Sequence, residues 1–358
     1  GNMLNGALAA PAWIRTGLTE TVFPGIGYNS RRASLANIFP VGIQPIEDGF
    51  REGYTQNWNI TLEKELHSKD LLSVAYVGSK GTHLLSLGLW NEAPPGLGSL
   101  DLRRPFPQFG TASLFSAFGA SNYHSLQAKA ERRFANGLGY LTGYTYSKGI
   151  GNTSTVNEGR ILTGTDQRSG RGRLGFDVRQ RFTAAGVYEL PFGPGKRFAG
   201  GNSRLVGKLV GGWQVNTITA FQTGYPINLA VSPCQLNGFS NRCVPNLNGP
   251  DHGNLPRDVR TVDRWFNTAA FSAPAAFTQG NQQQYTLDGP GINNWDTSFV
   301  KNTRIGETMN VQFRAEFFNF FNHTRFSGLG TTLGAGTFGR AISSTGEREV
   351  QLALKLYF

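Results

Sequence analysis

The 358 residues carry 34 Lys and Arg against 23 Asp and Glu, a formal net charge of +11, with 47 Gly, 26 Phe and 11 Tyr but 2 Met and 2 Cys. Glycine and aromatic residues at that level fit many strands and turns and exclude a helical bundle, and the lack of any long apolar window excludes a transmembrane helix. The basic excess is scattered, at Arg31, Arg32, Arg103, Arg104, Arg132, Arg133, Lys196 and Arg197 among others. Without a basic run or zinc-ligand spacing it argues for a rim facing anionic lipid head groups and against a nucleic-acid partner.

In chain order, residues 1–53 start GNMLNGALAA, without the basic start and apolar run of a signal peptide. They are expected to be an outer loop or the end of a truncated upstream region. Residues 54–358 then hold nine segments that alternate with the period of a strand having one oily and one wet face. Tyr54 to Leu66 sets Trp58, Ile60 and Leu62 against Asn57, Asn59, Thr61, Glu63 and Glu65. Leu71 to Gly78 groups Leu72, Val74 and Tyr76; Asn122 to Phe134 opposes Leu126, Ala128 and Ala130 to Ser125, Gln127, Lys129, Glu131 and Arg133. Leu138 to Lys148 stacks Leu138, Tyr140, Tyr144 and Tyr146, and Arg179 to Leu190 aligns Phe182, Ala184, Gly186 and Tyr188. Trp213 to Gln222 aligns Trp213, Val215 and Phe221, and Trp295 to Ile305 alternates more weakly. Met309 to Phe321 carries Met309, Val311, Phe313, Ala315 and Phe317 against Asn310, Gln312, Arg314 and Glu316. Glu349 to Phe358 closes the set with Val350, Leu352, Leu354, Leu356 and Phe358 on one face, and its length is the roughly 9–11 residues that a tilted strand needs to cross a bilayer. A soluble sheet would show the same alternation in this one segment.

The connections distinguish the two. His67–Asp70, Ala135–Gly137 and Gly306–Thr308 are tight turns, and Pro191 to Gly212 is of middle length. Between them fall long loops rich in Gly, Pro and Asn: Ser79 to Ser121, Gly149 to Val178, Thr223 to Asn294 and Asn322 to Arg348. Sorting short turns to one side and long loops to the other is the habit of outer-membrane barrels. The charged groups Glu63, Glu65, Lys129, Glu131, Arg133, Arg314 and Glu316 would be costly in a dry core and inexpensive facing a wet lumen. Trp58, Trp213, Trp295, Tyr123, Tyr146, Tyr188 and Tyr357 fall near strand ends, where interface girdles sit. Cys234 and Cys243 would close a short loop as a disulfide in an oxidising compartment, with two free thiols as the alternative. Counting back through alternating connections, the first and last segments both run inward. Nine strands cannot close a bacterial single-chain barrel, which needs an even number, so strands are expected upstream of this chain; the alternative is one miscounted hairpin, with Thr337 to Ser344, which reads as loop, the suspect.

Several stretches carry a family resemblance: NWNITLEKEL followed by VAYVGSKGTHL, then NYHSLQAKAERRFANGLGYLTGYTYSK, RQRFTAAGVYELPFGPGKRF, GGWQVNTITAFQTGYP, RWFNTAAF, VQFRAEFFNFFNHTRF and QLALKLYF. In that order the chain resembles the C-terminal barrel part of TonB-dependent outer-membrane receptors, of the Oar-like subgroup with a carboxypeptidase-regulatory-like N-terminal domain. The resemblance implies an all-β, antiparallel transmembrane barrel in the bacterial outer membrane. It implies nine or ten strands of a larger barrel of about 22, with long outer loops. It also implies uptake of an unknown substrate with energy from the inner membrane, TonB acting through a plug domain not in this chain. Phe358 with Leu356, Leu354 and Leu352 resembles the signal read by the barrel-assembly machinery. The alternative function is a passive pore or structural surface barrel without energy coupling.

Enzyme chemistry is not expected. The 5 histidines, His67, His83, His124, His252 and His323, lack the arrangement of carboxylate and nucleophile that a catalytic dyad needs. His323 in NHTR reads as ordering a strand exit. Gly328-Leu329-Gly330 and Gly334-Ala335-Gly336 do not open a helix as a phosphate loop must. No cofactor and no metal site are expected. The wall would face outer-membrane lipid, and substrate contacts would fall to the tips of the outer loops Ser79 to Ser121 and Thr223 to Asn294, with Trp265, Phe266 and Asn267 as ordered anchors. The assembly-signal reading predicts that deleting Phe358 impairs outer-membrane assembly. Heat-modifiable gel migration at normal yield in that variant would refute it.

Overall fold

The computed structural model describes residues 45–358 apart from 68, 108, 111, 155–169, 200–203, 239–242 and 250. Nine long strands form one antiparallel meander: β1 Tyr54–His67, β2 Asp70–Trp90, β3 Ala112–Ala135, β4 Leu138–Gly151, β5 Gln180–Glu189, β6 Trp213–Gln222, β7 Ile292–Ile305, β8 Met309–Phe318 and β9 Glu349–Tyr357. Each pairs with its sequence neighbours, and a two-residue ladder at Gly172–Arg173 attaches to the far end of β4. Among the described residues the sheet is not closed: β1 and β9 are its two edges. No described helix is long and apolar enough to cross a membrane.

Register carries one apolar face across the whole sheet, because directly opposed residues point the same way. Ile60 faces Tyr76, Tyr76 faces Leu126, and Leu126 faces Tyr146. Tyr144 faces Phe182, Phe182 faces Phe221, and Thr219 faces Trp295. Val215 faces Phe299, Phe299 faces Ala315, and Ala315 faces Leu352. Many side chains on this face lack protein cover: Ile60 is 68% exposed, Leu62 73% and Leu354 73%. Three of the hydroxyls here turn back to the ladder. Thr142 donates to Ala130 O (3.3 Å), Thr217 to Asp296 O (3.3 Å) and Thr219 to Asn294 O (2.8 Å), so they add no unpaired polar group to an oily surface. The opposite face is mostly polar; its apolar exceptions include Leu71, Val77, Val187 and Val300, and Leu141, Ala185 and Ile218, which line up on adjacent strands.

Three tight turns, the 190–212 link and the C-terminal end of β9 share one edge. Tyr357 lies opposite Asn310, just past the β7–β8 turn. At the β3–β4 turn Asn136 and Gly137 both have positive φ, 55° and 81°, the backbone of a two-residue hairpin whose twist matches its strands. The long loops leave the other edge.

Three expectations need correction, and the suspected extra hairpin is absent from the main sheet. The loop foreseen over Ser79 to Ser121 is mostly strand: β2 runs on to Trp90 and β3 starts at Ala112, leaving residues 91–111 as the connection. The pairing slips between Gly81 and Leu84 and again before Ser86, with His83 at φ 54°; these bulges shift the alternation and hide the strand from a period-two reading. Tyr123 and Tyr357 do not join the girdle, because opposition to Ser79 and Asn310 puts both on the polar face. The Thr337 to Ser344 region adds no strand to the main sheet; Ala341–Thr345 pairs with Arg325–Leu329 as a separate ladder. Phe318 ends β8 earlier than Phe321, where Asn319 turns to φ 51°. Of residues 1–53, those from 45 on are described, and they lie on the outer part of β3: Glu47 N donates to Phe115 O (2.8 Å) and Phe115 N to Pro45 O (2.9 Å).

Leu354 sits in the apolar row with Trp213, Lys301 and Phe313. Leu354→Arg is expected to cost about 2–4 kcal/mol of folding free energy in bilayers if the residue lies near the midplane. Equilibrium unfolding in phospholipid vesicles reads this, and an unchanged midpoint would remove Leu354 from the bilayer midplane.

Candidate functional site in the polar face and outer loops

The polar face gathers the sequence-predicted charges into two separate groups. On β1 and β3, Glu63 lies opposite Ser73 and Ser73 opposite Lys129, so all three share a row. Lys129 Nζ reaches Glu131 Oε2 at 2.8 Å. On β8, Arg314 Nη2 donates to Glu316 Oε1 at 2.6 Å. Strands β4 to β7 lie between the groups, so they form no single constellation. Between them Gln214 donates to Asn216 (2.6 Å) and Asn216 to Ser298 (3.1 Å). Glu65 is exposed on β1, and Arg133 falls past the bulge after Arg132, its amide donating to Lys69 O (3.0 Å) at the tight-turn edge. Half-exposed pairs of this kind add little stability. They make a wall that water and polar solutes can wet.

The outer loops are not separate. Leu229, Phe266, Phe271 and Leu287 form a small buried core inside the connection after β6, with Ile227, Leu247, Trp265, Ala270 and Phe338 packed on it. Phe266 meets Phe338 and Phe271 edge to face, with centroids 5.2 and 6.0 Å apart. Phe266 is 1% exposed, so its ring is spent on packing and offers no surface to a ligand. Trp265 donates from Nε1 to Asp288 O (3.1 Å) and lies under the Arg260 guanidinium at 5.8 Å. Asn267 is half-buried and its amide donates to Gly253 O (2.8 Å). Cys234 and Cys243 are bonded, with Cα atoms 5.6 Å apart. Beside them opens a cavity of about 140 Å3 lined by Val231, Leu236, Pro274 and Leu333 among others.

Polar ties bring the other loops to this unit. Arg173 bridges Asp177 (2.9 Å) and Asp288 (2.7 Å), and Asp177 also accepts from Gly149 N (2.7 Å). Burial alone would lower the Arg173 pKa, but bonds to Asp288 and Asp177 outweigh it and hold the guanidinium above its ordinary value. Arg103 donates to Asn237 O (2.7 Å), and Asn237 to Gly96 O (2.6 Å). Thr332–Leu333 runs parallel to Ala230–Val231, and Arg340 reaches Asp263. Where β8 ends, Asn319 takes the amide of His323 (3.0 Å) and donates to His323 O (2.9 Å). The loops therefore form one cap around residues 223–291. Sequence reading missed this cap, although Ile227, Leu229, Leu247, Phe271 and Leu287 are more apolar than a solvated loop requires.

Among the described residues no three of His, Cys, Asp and Glu come together as a metal site. His124 lies on the apolar side, its Nδ1 2.7 Å from Tyr76 Oη. The arrangement suits binding through shape and polar contact.

The sequence matches the outer membrane beta barrel domain over residues 4–351. No curated protein matches it. Among solved structures it is similar to the outer membrane transporter YddB from Escherichia coli, at 10% identity and a TM-score of 0.43, covering 88% of this chain and 33% of that one. It is also similar to the FrpB iron transporter from Neisseria meningitidis, at 14% identity and 0.41, covering 88% and 33%. A third is BauA, the ferric preacinetobactin receptor from Acinetobacter baumannii, at 10% identity and 0.43, covering 85% and 29%. The chain spans 33% of the length of the first two.

Phe266→Ala is expected to loosen the cap by about 3–5 kcal/mol, the usual cost of truncating a buried Phe. Limited proteolysis should then cut within residues 223–291 while the sheet keeps its heat-modifiable migration. Protease resistance equal to the parent would mean that the ring does not hold the cap.

Proposed function

This chain belongs to the outer membrane beta barrel domain family, a component of the bacterial outer membrane, and from that premise we propose that it forms the C-terminal wall and much of the outer cap of a receptor-type transporter. The observation that carries the proposal is the cap: the outer loops are tied by Arg103, Arg173 and the Thr332–Leu333 ladder to one packed unit at one end of a polar-faced sheet. A bare diffusion channel has no use for such a cap, whereas a receptor needs a preorganised surface to take its ligand. In this reading residues 54–358 are barrel, residues 1–53 belong to an outer loop or the end of an upstream region, and the remaining strands close the ladder. Uptake would be of the TonB-dependent kind, with energy reaching the lumen through a plug domain not in this chain. The ligand would be a peptide, glycan or metal chelate met by the cap, and the wall charges Glu63, Lys129, Glu131, Arg314 and Glu316 would face the lumen. Cys234 and Cys243 would stiffen the cap, and the end of β9 would be read by the barrel-assembly machinery.

The protein extracted from its native outer membrane tests this. A mass far above 39.0 kDa, with peptides N-terminal to Gly1 and solute uptake that stops when inner-membrane energy coupling is removed, is expected. A native mass near that value, with ohmic conductance in planar bilayers, would overturn it in favour of a passive pore.

A further inference from the structure

We propose that the connection between β5 and β6 is a lipid anchor on the inner rim, seating Leu209, Lys208, Arg197 and Phe198 among phospholipid head groups of the periplasmic leaflet. It depends on the outer-membrane placement of the sheet and not on the receptor reading.

The side of the wall is settled by Lys301. It lies opposite Trp213 and Phe313 on the apolar face. Its Nζ donates to Leu209 O (2.9 Å) and Gly211 O (2.7 Å) and stands 5.1 Å from the Trp213 ring centre. Trp213 Nε1 donates to the same Leu209 carbonyl at 3.2 Å. A short helix, α1 Arg204–Val210, therefore ends against the lipid-facing side and not beneath the lumen. The carbonyls of Leu209 and Gly211 at the helix end solvate a cation that would otherwise face oil. The return to β6 is tight. Gly212 sits at φ 73°, its carbonyl accepts from Asn302 N (2.9 Å), and a Cβ there would stand 2.2 Å from Asn302 O.

The edge is settled by the neighbouring turn. Glu189 N donates to Gly137 O (2.7 Å) and Leu190 N to Trp213 O (2.9 Å), so the connection leaves from the tight-turn side. Outward from it stand Leu209 at 71% exposure and Phe198 at 47%. Arg197 lies over the Phe198 ring at 5.3 Å, and Lys208 is exposed. Lys196 is satisfied by Glu189 at 2.9 Å, which leaves Arg197 and Lys208 as the exposed cations among the described side chains of this link. Leu209 continues the lipid-facing wall through its contacts with Lys301 and Trp213, and the exposed Lys208, Arg197 and Phe198 of the same link add two cations and a ring at that rim, a set that matches the head-group layer. A protein partner would have to share that perimeter with lipid.

Photo-crosslinking in the native membrane tests the proposal, with p-benzoylphenylalanine placed in the full protein at Leu209, at Leu354 and at Ile218. Phospholipid adducts at positions 209 and 354, and none at 218, are expected. Protein adducts at 209, or no adduct there while 354 labels, would overturn it, and failure at 354 as well would instead strike the wall assignment. Heat-modifiable migration confirms that each variant folds; Leu209 has little packing to lose. In a second test, the double variant Arg197→Gln with Lys208→Gln should retain at least about twofold less phosphatidylglycerol and cardiolipin on purification. Unchanged anionic lipid content would refute the head-group contact.

Discussion

In hydrocarbon a backbone amide has no water to turn to, so a strand that crosses it must be paired along its length. That constraint governs this molecule more than any side chain. It explains why nine strands run as an uninterrupted antiparallel ladder, why lipid-side threonines donate back to strand carbonyls, and why the one lysine on the row through Leu354 reaches for helix carbonyls. Among the described residues β1 and β9 are unpaired along one edge each, an arrangement that hydrocarbon penalises.

The outer side follows different physics. Water is available there, so loops need not pair, and long stretches would ordinarily stay solvated. This chain instead builds a small apolar core around Phe266 and ties the surrounding loops to it by buried or half-buried ions. Arg173 matters because it joins two loops through carboxylates from each, with the Asp177 side chain fully covered. A surface ion pair would add little; one that closes loops and satisfies a buried carboxylate orders the face a ligand meets.

Sequence reading recovered the elements whose signal is local. All nine long strands were visible from alternation, because a half-lipid strand must alternate, and their faces follow from the same period: Leu352, Leu354 and Leu356 stand where the pattern put them. The outer reaches of β2 and β3 were hidden, because bulges near His83 break the period and Gly and Ser dilute it. Tyr123 and Tyr357 were misread because nearness to a strand end says nothing of which face a ring occupies. In the cap, Phe266 looked like an anchor for a partner and is an anchor for the protein itself. Nothing local marks the partnership of Arg173 with Asp288, 115 positions apart, and the Lys301 contacts bring together residues 90 or more positions apart.

The two edge strands run in the same direction, since eight reversals separate β1 from β9. Two copies inserted with the same orientation thus present only edges pointing the same way. Whether edge meets like edge or the opposite edge, the pairing between copies would be parallel, against the antiparallel grain of the whole sheet. Among the described residues, each edge of this wall is thereby a poor template for its own twin and a good one for a strand running the other way.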